Sequence, residues 1–502
     1  MRVRASTEYG DVEGLTEASG AHVFRNIPFA APPFGPRRFR SPQPPAKWSG
    51  VRDATVSGPA APQPDFGTDG DPVDNAYFNP KTTGEDCLTL EITTPEIGAT
   101  ARLPVIVWIH GGGYMLGCNS AVAHRGHSFA RDGVVHVAIN YRLGIDGFIY
   151  LGELGSDNLG LRDQVAGLEW VQRNIANFGG DPSKVTIFGQ SAGGLSIMNL
   201  LAMPSARGLF ARAIAMSGSP VASVLPDEAM KVTRRLAKRL GVAPTRAGFE
   251  QTTVAQTVAQ TLPFALNFAN PLRNGADAFL LSPYRAVHGT PTLPEPPIAA
   301  AAAAPGVPFM TGTTTNETIG FLKLLGRFDG INPILGWYFK RLMGVTRGMT
   351  EAYRTGPRKM SNTLAIVEAA WTDWAFRMPT LRLVETRAAT APAVPSFVYE
   401  FRWDSPGFPA GLGAFHALEI AFMRGDLATL QAIPGSEDWL GKNPPAQLAT
   451  AMHTAWVNFA KTGNPGWPAY DLTSRKTMIF DTVSKLVPDA AGIERQAWKG
   501  HR

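Results

Sequence analysis

The chain has 502 residues, of which 44% are hydrophobic, and this is enough apolar material for the core of a large α/β protein. Its net charge of +6 comes from 47 basic and 41 acidic residues. The basic residues are scattered along the chain, which argues against nucleic-acid binding. No run of about eighteen apolar residues occurs, so we expect no membrane-spanning segment. Residues 1–10 lack the apolar stretch of a secretory signal, and the cytoplasm is therefore the expected location unless a leader has been removed.

The chain contains two cysteines, Cys87 and Cys118. Two are too few for a disulfide framework, and their spacing does not match a metal site. We expect both to be small buried hydrophobic residues. We predict neither a metal nor an organic cofactor.

Short apolar segments alternate with helical patterns along the chain, a rhythm typical of a mostly parallel sheet flanked by helices. The predicted strands are 103–109, 135–141, 185–188, 213–216, 307–310 and 397–403. Residues 158–178 place Leu161, Val165 and Leu168 at intervals of three to four residues and are followed by Gly179, which predicts a helix with a glycine stop. These patterns predict an α/β fold, which we interpret as a single domain over residues 1–502.

Two segments depart from this alternation. Residues from about 59 to 80 are rich in Pro, Gly and Asp, and residues from about 221 to 305 show weak periodicity. We interpret both as excursions from the sheet that contribute to a pocket. The alanine run at 299–304 precedes a predicted strand, and it favours a short capping helix over a linker.

The predicted strand 103–109 leads directly into His110, three glycines and Tyr114. Glycines leave their backbone N–H groups uncovered, so this loop is suited to binding an anion. The alternative is an ordinary flexible turn. If the loop lies beside a nucleophile, Gly112 and Gly113 can donate hydrogen bonds to a developing oxyanion, each contributing roughly 3 kcal/mol to transition-state stabilisation.

Ser191 lies between the predicted strand 185–188 and a helical pattern at 195–201. Gly189 and Gly193 flank it at G-x-S-x-G spacing, which permits the tight reversal that exposes a nucleophilic hydroxyl. The N–H group of Ala192 would be a further donor to the oxyanion. An isolated G-x-S-x-G is as often an ordinary turn, but the strand before it and the helix after it favour a nucleophilic serine, and hence an acyl-transfer enzyme.

A general base is expected after the nucleophile, because the chain order in such hydrolases is serine, acid, histidine. The histidines after Ser191 are His288, His416, His453 and His501. His501 is next to last, His288 precedes the candidate acids, and His453 lies in an apolar helical pattern. His416 follows the predicted strand 397–403 in a glycine-marked loop, so we favour it, with His453 as the alternative.

Two carboxylates between the nucleophile and His416 follow predicted strands. Glu317 lies in a polar loop after strand 307–310, where it could hold an imidazole N–H. Asp404 ends strand 397–403 just before Ser405 and Pro406, where capping a turn is an ordinary role. The residues themselves favour Glu317 only modestly.

Motifs along nearly the whole chain resemble the type-B carboxylesterase family, which includes bacterial para-nitrobenzyl esterases, animal carboxylesterases and cholinesterases. The matching segments are FRNIPFAAPP at 24–33, EDCL at 85–88, the glycine loop from His110, NYRLG at 140–144, NLGLRDQ at 158–164, residues 174–194, AFHALE at 414–419 and WVNFAKTGNP at 456–465. Several long motifs in the family's order make a chance match improbable.

The resemblance implies an α/β-hydrolase fold: a large, mostly parallel central sheet flanked by helices, with inserted loops and helices forming the pocket. It implies Ser191 as nucleophile, His416 as base and Glu317, rather than Asp404, as acid. The same match implies oxyanion donors at Gly112, Gly113 and Ala192.

Three further expectations come from the family match. Ser217 matches a serine that hydrogen-bonds near the acid, the alternative being a simple turn at a strand end. The pairs Arg38 with Glu85 and Arg142 with Asp163 match ion pairs that fix loops, and we assign them a structural role.

Two positions depart from the family pattern. Ala61 stands near the place where some members have a cysteine, which leaves Cys87 without an obvious disulfide partner and agrees with a reducing compartment. Gln190 replaces a common glutamate beside the nucleophile. Because a carboxylate there would favour cationic substrates, its absence argues for neutral esters.

We therefore predict a serine carboxylesterase that hydrolyses neutral carboxylic esters through an acyl-enzyme, with a small-molecule ester as its partner. The predicted pocket aromatics are Phe66, Tyr114, Phe264, Phe268, Phe321 and Phe328, and core packing is the alternative for each. Hydrolysis of carbamates or amides on the same residues is the nearer alternative function. A non-catalytic binding protein on this fold is the remote one. The residues leave open whether the protein is a monomer or a homodimer.

Overall fold

The computed structural model describes residues 1–65, 82–280, 282–302, 306–324, 330–356, 358–406 and 412–501. Within these residues the strands are β1 (Arg2–Thr7), β2 (Gly10–Thr16), β3 (His22–Pro28), β4 (Val51–Asp53), β5 (Thr89–Thr94), β6 (Leu103–Ile109), β7 (Val135–Ile139), β8 (Gly180–Gln190), β9 (Arg212–Met216), β10 (Phe309–Thr314), β11 (Ser396–Phe401), β12 (Lys476–Phe480) and β13 (Lys485–Pro488).

The helices up to β10 are α1 (His127–Arg131), α2 (Gly144–Phe148), α3 (Leu159–Asn174), α4 (Ala192–Ala202), α5 (Pro226–Leu240), α6 (Arg246–Phe249), α7 (Val254–Phe268), α8 (Pro271–Asn274) and α9 (Pro297–Ala300). Those after β10 are α10 (Ile319–Leu324), α11 (Pro333–Leu342), α12 (Arg347–Thr355), α13 (Thr363–Thr372), α14 (Met378–Thr390), α15 (Glu419–Met423), α16 (Leu427–Gln431), α17 (Glu437–Leu440), α18 (Ala446–Thr462) and α19 (Gly492–Ala497). A π-helical turn, Asp373–Arg377, joins α13 to α14.

All the strands belong to one 13-stranded sheet with the order β1-β2-β3-β5-β7-β6-β8-β9-β10-β11-β12-β13, and β4 pairs with β2. The strands from β7 to β12 in that order pair in parallel, while the outer pairs beyond them are antiparallel. The central strands are near-continuous apolar runs because helices cover both faces; in β6, residues 105–109 are all buried. The predicted mostly parallel α/β sheet is confirmed.

Every predicted strand is present; the one at 103–109 has the predicted bounds, and the others have shifted ends. The strand predicted at 185–188 extends over Gly180–Gln190, and the one predicted at 307–310 begins at Phe309, where pairing with β9 and β11 starts. The predicted helix 158–178 is α3 followed by a short 3₁₀ turn that ends at Gly179. Of the alanine segment, α9 includes only its first two residues, and 303–305 lie outside the described residues.

The two predicted loop-fixing ion pairs have different outcomes. Arg142 pairs with Asp163 at 2.7 Å, and both side chains are almost fully buried. The predicted pair between Arg38 and Glu85 is wrong: Arg38 binds Asp146 at 2.6 Å instead, while Glu85 is exposed. Asp146 belongs to α2, so the Arg38 segment is tied to that helix, an attachment that spacing along the chain does not reveal.

Cys87 and Cys118 are buried and their thiols are free, as expected. Burial raises the pKa of both thiols. The described residues contain no cluster of His, Cys, Asp and Glu positioned to hold a metal ion. No helix within the described part of the chain is long and apolar enough to span a membrane.

Candidate active site

Ser191 occupies the sharp turn between β8 and α4, with φ of 57° and ψ of −121°. Its N–H donates to the carbonyl of Met216 at 2.9 Å, which ties the turn to β9. A Cβ on Gly193 would lie 2.0 Å from the carbonyl oxygen of Ile109, and one on Gly189 would lie 2.6 Å from the same atom. Only glycine fits at either position, so the chain can place β6 and α4 in contact around an exposed serine.

The glycine loop after β6 packs directly against the Ser191 turn. A Cβ on Gly111 would lie 3.2 Å from the Cβ of Ser191. Gly112 and Gly113 have φ of 102° and 62°, a backbone conformation that favours glycine. Among the described residues, neither of their N–H groups donates a hydrogen bond, and the N–H of Ala192 belongs to the first turn of α4, which has no intrahelical acceptor. The loop and the helix start therefore offer donors beside the serine.

His416 and Glu317 form a hydrogen-bonded pair next to this turn. The imidazole Nδ1 hydrogen-bonds Glu317 Oε2, and Glu317 is fully buried. Glu317 Oε1 accepts the N–H of Thr314 and the hydroxyl of Ser217, each at 2.7 Å. A carboxylate fixed by two donors on one oxygen holds the imidazole with its proton on Nδ1 and leaves the lone pair on Nε2.

The loops that hold the acid and the base are bonded to one another. Asn316 and Phe415 form an isolated β-bridge, in which the N–H of Asn316 donates to the carbonyl of Ala414 at 3.0 Å. Because β10 and β11 are parallel neighbours, their following loops meet at the same edge of the sheet. Glu317 is therefore the carboxylate beside the imidazole, whereas Asp404, the other candidate, is exposed.

The other candidate histidines have partners elsewhere. His453 is buried in α18, where Nδ1 lies 3.0 Å from the carbonyl of Met423 and Nε2 lies 2.8 Å from Asp132. His288 hydrogen-bonds Ser223 through Nδ1 at 2.9 Å. None of these contacts involves Ser191. Of the candidate histidines, only His416 is among the described residues that line the cavity with Ser191.

Gln190 contacts the imidazole nitrogen that does not bind Glu317. Its Nε2 lies 3.2 Å from His416 Nε2, and since Nδ1 donates to Glu317, the amide N–H of Gln190 donates to the Nε2 lone pair. Within the described residues, no hydrogen bond joins the Ser191 hydroxyl to His416. Both residues line one cavity, and hydrogen bonds of this kind commonly tighten only when substrate is bound.

The cavity above Ser191 has a volume of about 340 Å³ and mostly apolar walls. Tyr114 and Phe321 are among its lining residues. Phe376, from the π-helical turn, lies beside the imidazole, and its ring centroid is 5.6 Å from that of His416. The rings of Phe321 and His416 are 5.4 Å apart. The imidazole is thus held between two aromatic side chains.

The other predicted pocket aromatics have different outcomes. The structure does not place Phe264 and Phe268 among the cavity lining; both are buried in the core. Positions 262, 265 and 266 of α7, and position 269 just after it, line the cavity. Positions 264 and 268 lie on a different part of the helix surface and are buried in the core. Phe66 and Phe328 lie outside the described residues.

The family model described as "Carboxylesterase family" matches residues 2–485. The chain belongs to the carboxylesterase family. It is 36% identical to a para-nitrobenzyl esterase of Bacillus subtilis (strain 168), over 98% of this chain and 97% of that protein. It is 33% identical to a phenmedipham hydrolase of Pseudarthrobacter oxydans, over 97% of each chain.

Solved structures agree with this assignment. The carboxylesterase EST55 of Geobacillus stearothermophilus superposes with a TM-score of 0.84 at 32% identity, covering 99% of this chain and 100% of that one. A PNB esterase superposes with a TM-score of 0.79 at 33% identity, with the same coverage. The predicted α/β-hydrolase architecture is confirmed, and this carboxylesterase is a carboxylic ester hydrolase.

In this carboxylesterase a second carboxyl group lies near Glu317. Ser217, with φ of 47°, places its hydroxyl 3.3 Å from Oε1 of Glu419 as well as beside Glu317. Burial, together with the charge of Glu317, raises the pKa of Glu419 to about 8. Burial therefore favours the neutral form of Glu419. A neutral carboxyl can donate to the hydroxyl oxygen of Ser217 while that hydroxyl donates to Glu317.

The sequence reasoning gave no role to Glu419, although a glutamate between Leu418 and Ile420 in an apolar run was a usable signal. It also missed Glu368 on α13. Glu368 is buried, accepts from Asn316 Nδ2 at 3.1 Å and lies 3.4 Å from the N–H of Thr318. It therefore holds the residues on both sides of Glu317, and only the tertiary structure shows this contact.

Proposed function

We propose that Ser191, His416 and Glu317 are the catalytic triad of this carboxylesterase, with Gly112, Gly113 and Ala192 as the oxyanion hole. The observation that supports this most directly is the Glu317–His416 pair, which opens into the same cavity as the strained Ser191 turn. A positive-φ serine is costly, on the order of 1–3 kcal/mol, and such strain concentrates at reacting residues.

In the proposed acylation step, His416 Nε2 takes the hydroxyl proton as Ser191 Oγ bonds to the ester carbonyl carbon. The carbonyl electron pair moves to its oxygen, where the three N–H groups stabilise the negative charge. His416 then gives its proton to the leaving alkoxide, the C–O bond breaks and the alcohol departs. Glu317 stabilises the imidazolium throughout and keeps the ring in one orientation.

Deacylation repeats these steps with water. His416 removes a proton from water, the hydroxide bonds to the acyl carbon, and the proton returns to Ser191 Oγ as the carboxylic acid is released. In the resting arrangement the Gln190 amide occupies the Nε2 lone pair. We infer that Gln190 releases Nε2 when Ser191 engages the substrate.

The proposed substrates are esters without a positive charge. No carboxylate is found among the described residues that line the cavity, and Gln190 is neutral. A cationic substrate that enters the cavity would therefore lose its hydration without gaining a negative charge to compensate for it. Of the relatives, one is named a para-nitrobenzyl esterase and one a phenmedipham hydrolase, so carbamate hydrolysis on the same triad is the second candidate.

The test is active-site labelling with an organophosphate, followed by peptide mapping, in the wild-type protein and in S191A. We expect one modified peptide containing Ser191, and loss of both label and ester hydrolysis in S191A. Label on another residue, or S191A that cleaves 4-nitrophenyl butyrate at the wild-type rate, would contradict the proposal. Rates on matched 4-nitrophenyl esters and carbamates then rank the two substrate classes.

We also propose that the protein works in the reducing cytoplasm, because its two thiols are buried and unpaired. Fractionation of cells that express the native chain tests this: activity in the soluble cytoplasmic fraction is expected, and activity recovered outside the cell would contradict it.

A further inference from the structure

Arg285 stands out in the wall of the active-site cavity. Among the described lining residues it is the only side chain with a permanent charge. It is 7% exposed, and removing a charge from water is costly unless a partner compensates for it. A buried arginine in a mostly apolar cavity is therefore a candidate binding group.

The existing partners of Arg285 leave its guanidinium only partly satisfied. Nη1 lies 3.5 Å from Asp277 Oδ1, and the Asp277 side chain is 53% exposed, so solvent weakens this pair. The guanidinium carbon lies 5.4 Å from the ring centroid of Phe268. Within the described residues, the buried Nε has no hydrogen-bond partner. A guanidinium has five N–H donors, so capacity remains for an oxygen-bearing anion.

Arg285 follows closely in the chain after a residue that contacts the proposed oxyanion loop. Ser282, three residues earlier, donates its hydroxyl to the carbonyl of Gly113 at 2.9 Å, which anchors this segment to the proposed oxyanion loop. Three extended residues span at most about 11 Å. Leu266, on the same cavity wall, is 43% exposed, so this part of the wall reaches the surface.

We propose that Arg285 binds a carboxylate at the end of the substrate remote from the scissile ester, so that half-esters of dicarboxylic acids are a preferred substrate class. The proposal rests on the proposed ester hydrolysis at Ser191. Charge-assisted, bidentate hydrogen bonds from arginine to carboxylate are the strong ones in proteins. Arg285 is already desolvated, and no cavity-lining carboxylate among the described residues opposes an anion. Asp277 competes for the guanidinium and limits the preference.

The decisive comparison is kcat/KM for 4-nitrophenyl hydrogen suberate against 4-nitrophenyl octanoate, which has the same chain length without the terminal carboxylate. In R285Q we expect a loss of about tenfold or more for the suberate, mainly in KM, with the octanoate changed by less than about twofold. D277N, which removes the competing carboxylate, is expected to raise the suberate preference. Increasing NaCl from about 0.05 to 0.5 M lowers that preference in the wild-type protein.

R239Q is a matched control. Arg239 belongs to α5, and its guanidinium lies 5.7 Å from the ring of Phe264 on α7, but Arg239 does not line the cavity. We expect it to leave the suberate-to-octanoate ratio unchanged. Equal losses on both substrates in R285Q would show that Arg285 has only a structural role, and an unchanged ratio in R285Q and D277N would overturn the proposal outright.

Two further arms separate the possible outcomes. Octanoate esters of 4-hydroxybenzoate carry the carboxylate on the alcohol side, and comparing them with phenyl octanoate shows which product half reaches Arg285. Calorimetric titration of suberate and octanoate into S191A needs no catalysis. Suberate binding that S191A retains and S191A/R285Q loses supports the anion site even if ester hydrolysis at Ser191 fails. If 4-nitrophenyl octanoate is hydrolysed but neither assay shows selectivity for suberate, only the anion site is refuted.

Discussion

Replacing Glu317 by Gln separates the orientation of the imidazole from its packing. In the wild-type protein, Glu317 Oε1 accepts two hydrogen bonds of 2.7 Å, from the N–H of Thr314 and from Ser217. The Thr314 N–H cannot act as an acceptor, so the amide oxygen of Gln must occupy the Oε1 position. The amide NH₂ group then faces His416 Nδ1 and donates to it. The imidazole proton is forced onto Nε2, and the base loses the lone pair that must take the serine proton.

The magnitude follows from the two oxygen positions. If the amide introduced at position 317 were rotated by 180°, its NH₂ group would face the N–H of Thr314. The Thr314 hydrogen bond would be lost and two donors would oppose each other, at a cost of about 1–3 kcal/mol. The inactive tautomer therefore dominates. In a serine protease the equivalent change lowers kcat about 10⁴-fold, which corresponds to about 5.4 kcal/mol at about 1.36 kcal/mol per factor of ten. We expect a similar loss in kcat here, with KM changed little because Glu317 does not line the cavity.

The assay is steady-state hydrolysis of 4-nitrophenyl butyrate, with circular dichroism to confirm folding. E368Q is the matched control: Glu368 is also buried, burial raises its pKa, and it does not contact His416. We expect E368Q to retain kcat within about threefold, since Gln has nearly the same shape and still accepts a hydrogen bond from this loop. If E317Q keeps more than about a tenth of the wild-type kcat, the tautomer argument is refuted.

Three further changes test the groups behind the site and the fold. S217A removes a hydroxyl that donates to Glu317 at 2.7 Å, and we expect kcat to fall about tenfold, as for loss of a hydrogen bond to a charged group; an unchanged kcat would contradict this role. Burial raises the pKa of Glu419 to about 8 from an ordinary value of 4.5, so the folded state holds the neutral form of this carboxyl more tightly than the unfolded state does. The resulting contribution to the free energy of unfolding is fully present below pH 4.5 and is lost as the pH rises through 8. E419Q should therefore flatten the decline in unfolding free energy between pH 5 and about 8 in urea titrations, and an equally steep decline in the variant would count against it. D163N breaks the buried pair with Arg142, and we expect urea unfolding to show a loss of about 3–5 kcal/mol; a loss below about 1 kcal/mol would mean that the pair is not essential.

The sequence by itself was sufficient for the local parts of the site. The turn around Ser191 and the glycine loop at 111–113 are set by residues adjacent along the chain, because β-branched runs form strands and only glycine tolerates the close approaches there. The parallel sheet followed from the alternation of strands and helices, and the family motifs pointed to the same candidate residues.

Contacts between distant segments required the tertiary structure. The local pattern favours Glu317 over Asp404 only modestly and the family resemblance implies Glu317, whereas the pairing of β10 with β11 is what brings Glu317 beside His416. Arg38 was matched to the wrong acid because its true partner, Asp146, belongs to a helix far along the chain.

The direction of each side chain is the remaining feature that could not be predicted from the sequence. Phe264 and Phe268 are aromatic residues of the kind that line pockets, but the packing of α7 buries them in the core. Positions 265 and 266 of the same helix line the cavity instead. Arg285 also lies in the cavity wall, where no local pattern placed a charge. Periodicity identifies a helix and its apolar face, whereas the neighbour against which that face packs depends on elements far apart in sequence. The sequence thus determined the fold and the proposed reacting residues, and the tertiary structure decided what surrounds them.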